Sequence, residues 1–457
     1  MLSRRDLLKS SALAGAGLFM AGYIDGLRFA LPASATLDGY GPLQADPAGL
    51  LDLPTGFSYQ VVTQAGRPLA GPASGVVPGR PDGTASFPGP GGGVYLVNNH
   101  EQNVNETFPA LAASNLTYDP AVGGGTTTLL VDKRNELVSE YVSLAGTYSN
   151  CAGGAMPWGT WLTCEETETL AGATVSGVTI TKDHGYVFEV SPTNPSANVD
   201  PTPLTALGRF AHEAVVADPI RGHLYLTEDA SNPHGLLYRF TPSTLPNALH
   251  TLRDGGLLEA MYSPGNPHLS VFSQRGTELP VQWKAVPDPT GKPTSIRKQF
   301  APFTTEAITR SRKFEGLWWG NDRAYVVCSF ARFSDGSAAQ HDGQVWSYSP
   351  AASTLKLEAY FPVNPDPSGT TADQPDGPDN ITVNPWGGLV IAEDGNGTQH
   401  LVSILDGTPS LLARNAVSDS EFTGVNFSPD RKTLFANIQD EGYVFAITGP
   451  FALLRHS

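Results

Sequence analysis

Apolar residues along this chain fall into short runs, and similar polar residues bracket each run. Thr160-Trp-Leu-Thr-Cys-Glu-Glu166, Leu224-Tyr-Leu-Thr-Glu-Asp229, Ala324-Tyr-Val-Val-Cys-Ser-Phe330 and Leu389-Val-Ile-Ala-Glu-Asp394 each follow a turn and an earlier apolar run. The repeating units span Asn150–Glu166, Glu213–Asp229, Glu315–Phe330, Asn380–Asp394 and the weaker Thr423–Gln439. A further copy runs from Asp82 through Val94-Tyr-Leu-Val97 to His100-Glu101. A third apolar run follows in Gly185–Pro192, Gly235–Pro242, Gly343–Pro350 and Gly442–Thr448. Runs of this length, punctuated by Gly, Pro, Asn and Asp and with no long amphipathic helical pattern, predict strands. Recurrence every few dozen residues predicts propeller blades, and six copies predict an all-β, six-bladed β-propeller.

That fold gives the repeat a chemical meaning. The start of each innermost strand faces the central channel, so Cys151, Glu213, Glu315 and Asp379 (or its neighbour Asn380) converge on one axis. Single polar residues there are equally consistent with a wet channel. As a set, a thiol and several carboxylates repel one another when ionised unless cations hold them, so the axis is read as a metal site.

Outside the repeat, residues 36–54 read as a linker or first wrap, and Gly66–Pro90 as a long surface loop leading to the first blade. Residues 245–311 break the period and are expected to supply outer strands or an inserted lid. The repeat resumes after every Pro-rich connection, so residues 36–457 are expected to form one propeller domain.

Composition narrows the function classes. Charged residues are 16% of the chain, with 49 Gly and 38 Pro, as in a loop-rich β protein. A formal charge of -16 argues against nucleic acid as a partner. Residues 1–35 carry Ser3-Arg-Arg-Asp-Leu-Leu-Lys9, a mildly apolar Gly/Ala-rich stretch and Ala33-Ser-Ala35, which together read as a twin-arginine export signal with a cleavage site. Asp25 and Arg28 interrupt the stretch, so no stable membrane span is expected. The twin-arginine export machinery is therefore an expected partner, and the periplasm or the exterior the expected location. The three cysteines allow a Cys151–Cys164 disulfide, but the repeat places Cys164 and Cys328 inside apolar strands as free thiols. Cys151, in Asn150-Cys-Ala-Gly-Gly154, is favoured as a metal ligand.

Asn98-Asn-His-Glu101, the block from Cys151 to Glu166, Gly208-Arg-Phe-Ala-His-Glu213, Phe314-Glu-Gly316 and Asp376-Gly-Pro-Asp-Asn380 together resemble the PhoX family of alkaline phosphatases. The Cys151 block is the specific part. The resemblance covers most of the mature chain and implies a twin-arginine-exported, six-bladed propeller that hydrolyses phosphate monoesters with axial calcium and iron. It implies Cys151 on iron, Glu213 and Glu315 as bridging or terminal carboxylates and Asp379 as a further ligand. Glu101, Glu166 and Asp229, at the ends of second strands, are candidate calcium ligands. Carboxylates suit calcium and a thiolate suits a transition metal, so the residue types agree with a mixed site. His212 is a candidate general acid or an orienting group behind a ligand. The family pattern has an Arg two residues before the Glu of Glu315-Gly316, and this chain has Lys313, with Arg310 and Arg312 nearby. Lys313 is thus the candidate phosphate-gripping residue, as a point charge without a fork of donors. The chain is also short between Glu101 and Cys151 compared with longer family members.

The leading expectation is an exported metal-dependent phosphatase acting on small phosphate esters. A calcium-dependent propeller lactonase or esterase, with no role for Cys151, is the alternative enzyme. A non-enzymatic propeller whose metals only hold the blades is the third reading. A closed ring hides its sheet edges, so a monomer is expected.

Overall fold

The computed structural model describes residues 39–330 and 342–453, and the expected export signal lies outside them. Among the described residues there is no α-helix, only short 3-10 turns, and no helix long and apolar enough to cross a membrane. Six antiparallel sheets form the blades of the expected β-propeller.

The innermost strands, in chain order, are Pro81–Pro88, Asn150–Ala155, His212–Ala217, Arg312–Gly320, Pro378–Val383 and Phe422–Phe427. The paired second strands are Val94–His100, Trp161–Glu165, Leu224–Glu228, Arg323–Phe330, Leu389–Glu393 and Thr433–Ile438. One strand corrects the sequence reading. The Gly/Pro-rich stretch read as a loop through Pro90 contains the first blade's inner strand, whose prolines stand at its two ends where fewer ladder bonds are lost.

Two blades borrow strands from the start of the chain. Leu51–Pro54 pairs with Thr408–Asn415 at the outside of the fifth blade, and Ser58–Gln64 pairs with Tyr443–Thr448 in the sixth. The second pairing joins the two ends of the repeat array. The segment that breaks the period is likewise divided between blades: Gly256–Tyr262 and Gln282–Ala285 extend the third, and Glu278–Pro280 extends the fourth.

The core lies between blades. Trp161 and Phe87 pack between the first and second, Tyr238 and Leu162 between the second and third, and Trp346 and Tyr225 between the third and fourth. Phe361 and Ile391, then Phe445 and Val390, then Phe435 and Leu96 fill the remaining three interfaces. Each second strand is therefore buried on both faces: Leu434, Ala436 and Ile438 face the fifth blade while Phe435 faces the first. This is why the second runs are continuously apolar instead of alternating.

Glu140 is an exception inside the first blade. Burial pushes its carboxyl up to about 7, offset in part by the hydroxyl of Thr63, which donates to Oε2 at 3.1 Å. The folded state holds this proton more tightly than the unfolded chain. Stability is thus unaffected below the ordinary value of 4.5, falls as pH rises toward about 7, and stays lower above it. The shift corresponds to about 3 kcal/mol. Glu140→Gln is expected to remove that slope, so thermal melts at pH 5 and pH 8 should differ less for the variant than for the parent. Equal pH dependence in both would show that Glu140 stays ionised in the fold.

Candidate metal centre

A β-bulge recurs in all six inner strands at nearly the same place. The ladder slips between Pro81 and Thr84, Asn150 and Gly153, His212 and Val215, Phe314 and Leu317, and Pro378 and Ile381; in the sixth blade the slip falls one residue later, between Thr423 and Asn426. An extra residue of this kind bends a strand and re-aims a side chain. In five blades the residue that opens the bulge carries the chemistry: Asp82, Cys151, Glu213, Glu315 and Asp379 all line one cavity. Across the ladder, the residues just past the second strands join them: Glu101, Glu166, Asp229 and Asp394, with Gln439 from the sixth blade.

Two blades depart from the rule. In the fourth, Ser329 stands where others carry an acid, and its hydroxyl donates to Glu315 Oε1 at 2.5 Å. In the sixth, Thr423 stands at the equivalent place, still paired with Asn437, and donates to the carbonyl of Pro81 at 2.8 Å, while Glu421, just ahead of the strand, supplies the carboxylate.

The cavity has a volume of about 110 Å³ and is lined by nine carboxylates, Cys151, Lys313 and Gln439. Along the axis the next positions are Gly83, Ala152, Ala214, Gly316, Asn380 and Gly424, which leave only about 20 Å³. Two of these glycines are dictated by close approach. A Cβ on Gly83 would lie 2.5 Å from Ala152 Cα, and one on Gly316 would lie 2.7 Å from the Asp379 carbonyl oxygen.

Among the described residues, nearby cations are few. Lys313 Nζ lies 3.1 Å from Asp229 Oδ2 and 3.2 Å from Glu315 Oε1. Burial alone would lower its pKa, but the charges of Glu315, Asp229, Glu166 and Asp394 hold it well above the ordinary lysine value. Lys313 also sits at φ 56°, a left-handed conformation that costs roughly 1–2 kcal/mol for a residue with a Cβ and is typical of functional positions. Arg80 pins Glu101 at 2.7 Å and Asp440 at 2.7 Å.

Burial, followed by neighbouring carboxylates, raises Asp82, Glu166, Glu213, Asp379 and Glu421 well above their usual range, and Glu315 to about 7. Burial and the charges of Glu213, Glu166 and Asp82 raise the Cys151 thiol in the same way. Its Sγ donates to the carbonyl of His212 at 3.3 Å. All three cysteines are buried and free, so the alternative Cys151–Cys164 disulfide does not form.

Three overlapping groups bring their donor atoms within 4.8 Å of one another: Cys151, Glu166 and Glu213; Glu213, Glu315 and Asp379; and Asp379, Asp394 and Glu421. Asp379 Oδ1 is buried with no hydrogen-bond partner. A buried, mutually repelling donor set with an unsatisfied carboxylate oxygen fits bound cations.

The acids preceding the cavity residues point the other way. Glu165 meets His184 Nδ1 at 2.7 Å, Glu228 meets Arg297 Nη1 at 2.6 Å, and Glu393 meets His400 Nδ1 at 2.8 Å. Adjacent residues of a strand face opposite sides, so each acidic pair sends one carboxylate to the axis and one to a basic side chain that anchors the strand end. Alternation also separates His212 from Glu213. The structure does not bring His212 to the cavity: it is buried, stacked on Phe210 at 3.5 Å between ring centroids, and its Nε2 meets the Gly208 carbonyl at 3.1 Å. Burial pushes its pKa down to about 3.

Every other sequence-predicted site residue lines the cavity. Asp82, Asp394, Glu421 and Gln439 were not among the predicted ligands, although Asp82, Asp394 and Gln439 mark ends of repeat units and were open to the same alignment.

Fold and cavity together define a β-propeller with a carboxylate-rich axial cavity whose donor groups could hold metal ions. No curated protein matches the chain. The chain belongs to the alkaline phosphatase PhoX family, whose family model matches residues 38–442. It is thus a member of a family of metal-dependent, alkaline-phosphatase-type hydrolases. Among solved structures, a gluconolactonase from Xanthomonas campestris is similar at 12% identity over 90% of this chain and 98% of that one, with a TM-score of 0.40. The β-propeller domain of Cps50 (Swd1) from Myceliophteria thermophila is similar at 10% identity over 86% and 99%, with a TM-score of 0.41. Neither likeness bears on activity.

Proposed function

We propose that this chain is an exported phosphatase hydrolysing small phosphate monoesters at a centre that holds calcium and iron. The observation that carries the reading is the donor set of one cavity, nine carboxylates with one thiol and one lysine, in a chain of this family. Cys151, with Glu166 and Glu213, would hold iron, because a thiolate selects a transition metal. The oxygen-only groups around Asp379 suit calcium, which takes six to eight oxygen ligands. Bound there, such ions polarise phosphoryl oxygens and acidify water.

The chain's own residues do the rest. The Lys313 ammonium, held charged between Asp229 and Glu315, is placed to neutralise charge gathering on the phosphoryl oxygens. Glu165, Glu228 and Glu393 fix the strand ends from which Glu166, Asp229 and Asp394 reach the cavity. The Ser3–Lys9 motif and Ala33-Ser-Ala35 support twin-arginine export to the periplasm or beyond.

The direct test is hydrolysis of p-nitrophenyl phosphate by the metal-loaded protein, beside a lactone assayed in calcium alone. Ester hydrolysis is expected, and lactone opening without it would replace the phosphatase by the lactonase. Lys313→Ala is expected to lower kcat/KM by roughly 10²–10³-fold, the usual loss for one preorganised charge donor. Lys313→Arg should retain activity, because its fork can grip two oxygens. An unchanged kcat/KM in Lys313→Ala would remove Lys313 from the mechanism.

A further inference from the structure

Beyond the cavity, the buried cation Arg310 has no ion-pair partner among the described residues. Arg310 is 8% exposed, and its guanidinium makes one hydrogen bond, from Nη2 to His268 Nε2 at 3.1 Å. The carbon centre of the guanidinium lies 4.0 Å from the centre of the Phe303 ring. Nε is buried without a hydrogen-bond partner. No carboxylate lies within ion-pair distance among the described residues. By contrast, Arg297 is closed by Glu168 and Glu228, and Arg209 by backbone carbonyls.

The cluster is tied to the cavity wall. The Lys313 amide donates to the Ala230 carbonyl, next to Asp229, at 3.1 Å, and the Ser311 amide donates to the Gly235 carbonyl at 3.2 Å. Arg310 bridges to His268, whose ring centroid is 5.7 Å from that of His234. Arg310, His268 and His234 therefore stand together beside the segments that carry Lys313 and Asp229. Burial, then Arg310, pushes His268 down to about 4; burial, then His268, Arg310 and Arg312, pushes His234 to about 4. A guanidinium does not lose its proton, and burying one without a counter-charge is costly. An oxyanion accepting from Arg310 would offset that cost.

We propose that Arg310, beside His268 and His234, forms a subsite for a second anionic group on the substrate, so that preferred phosphate esters carry a carboxylate or further phosphate on the leaving group. This rests on the phosphatase reading and narrows its substrate class. Phenyl phosphate and 4-carboxyphenyl phosphate form a matched pair of probes for the metal-loaded protein. The parent is expected to show a KM roughly tenfold lower for the carboxylated ester, as one charge-assisted pair allows. Arg310→Met should erase that ratio, and Arg310→Lys, which keeps the charge without the fork, should retain part of it. No preference in the parent, or an equal rise of both KM values in the variants, would overturn the subsite.

Sulfate binding followed by calorimetry reads the subsite independently of turnover. Affinity is expected to fall roughly tenfold in Arg310→Met, and equal affinity in parent and variant overturns the proposal. Arg310-dependent sulfate binding in a protein that hydrolyses neither ester would sink the phosphatase reading while leaving the anion site standing.

Discussion

Cys151→Ser is expected to abolish iron binding and, with it, most phosphate-ester hydrolysis, while the propeller stays folded and keeps calcium. The substitution removes the cavity's one soft donor and changes little volume. Loss of a group that merely orients a ligand costs roughly 10–100-fold in metal affinity or activity, so loss of the ligand itself should exceed about a hundredfold. The bulge that aims Cys151 is a backbone feature shared by all six blades and does not depend on the thiol. Elemental analysis of the variant, alongside its circular dichroism, checks both halves. Iron retained at the parental level would remove Cys151 from the centre, and lactone hydrolysis surviving with calcium alone would favour the alternative enzyme.

Removing the metals should reverse the pH dependence of stability. In the apo protein, burial and mutual repulsion hold Asp82, Glu166, Glu213, Asp379 and Glu421 well above their ordinary values, with Glu315 at about 7. The apo fold therefore binds more protons than the unfolded chain above the ordinary carboxyl range. The contribution of these carboxyls to stability is therefore greatest at low pH and falls as pH rises through that range toward the raised values. The loaded protein behaves in the opposite sense, because ligands must be deprotonated to hold metal. Each site filled at a thousandfold above its Kd adds about 4 kcal/mol. Chelation at pH 8 should thus lower Tm by on the order of 10 °C, and acidifying the apo protein to pH 5.5 should recover part of the loss. Parallel pH profiles with and without metal would mean that the carboxylates do not share a site.

Much of the ring was legible because the second strands advertise it. A strand buried on both faces must be continuously apolar, and Leu224–Glu228 and Leu389–Glu393 stood out for that reason. The convergence of Cys151, Glu213, Glu315 and Asp379 followed from the same alignment. The first blade's inner strand was hidden because Pro81, Gly83 and Pro88 look like loop residues until the close approach to Ala152 explains the glycine. Glu421 was missed because it lies one residue outside its strand, in a blade whose equivalent positions are Thr423 and Gln439. His212 was drawn toward the site by adjacency to Glu213, although strand alternation sends neighbours to opposite faces. The pairing of Glu278–Pro280 with the fourth blade and Gln282–Ala285 with the third depends on contacts distant in sequence, which no local pattern encodes.

The most direct measurement is elemental analysis of the exported, untagged protein purified without chelator. Iron and calcium together, each in whole-number proportion to the chain, is the predicted result. Calcium without iron would contradict a mixed centre at Cys151 and turn the cavity into an oxygen-only site.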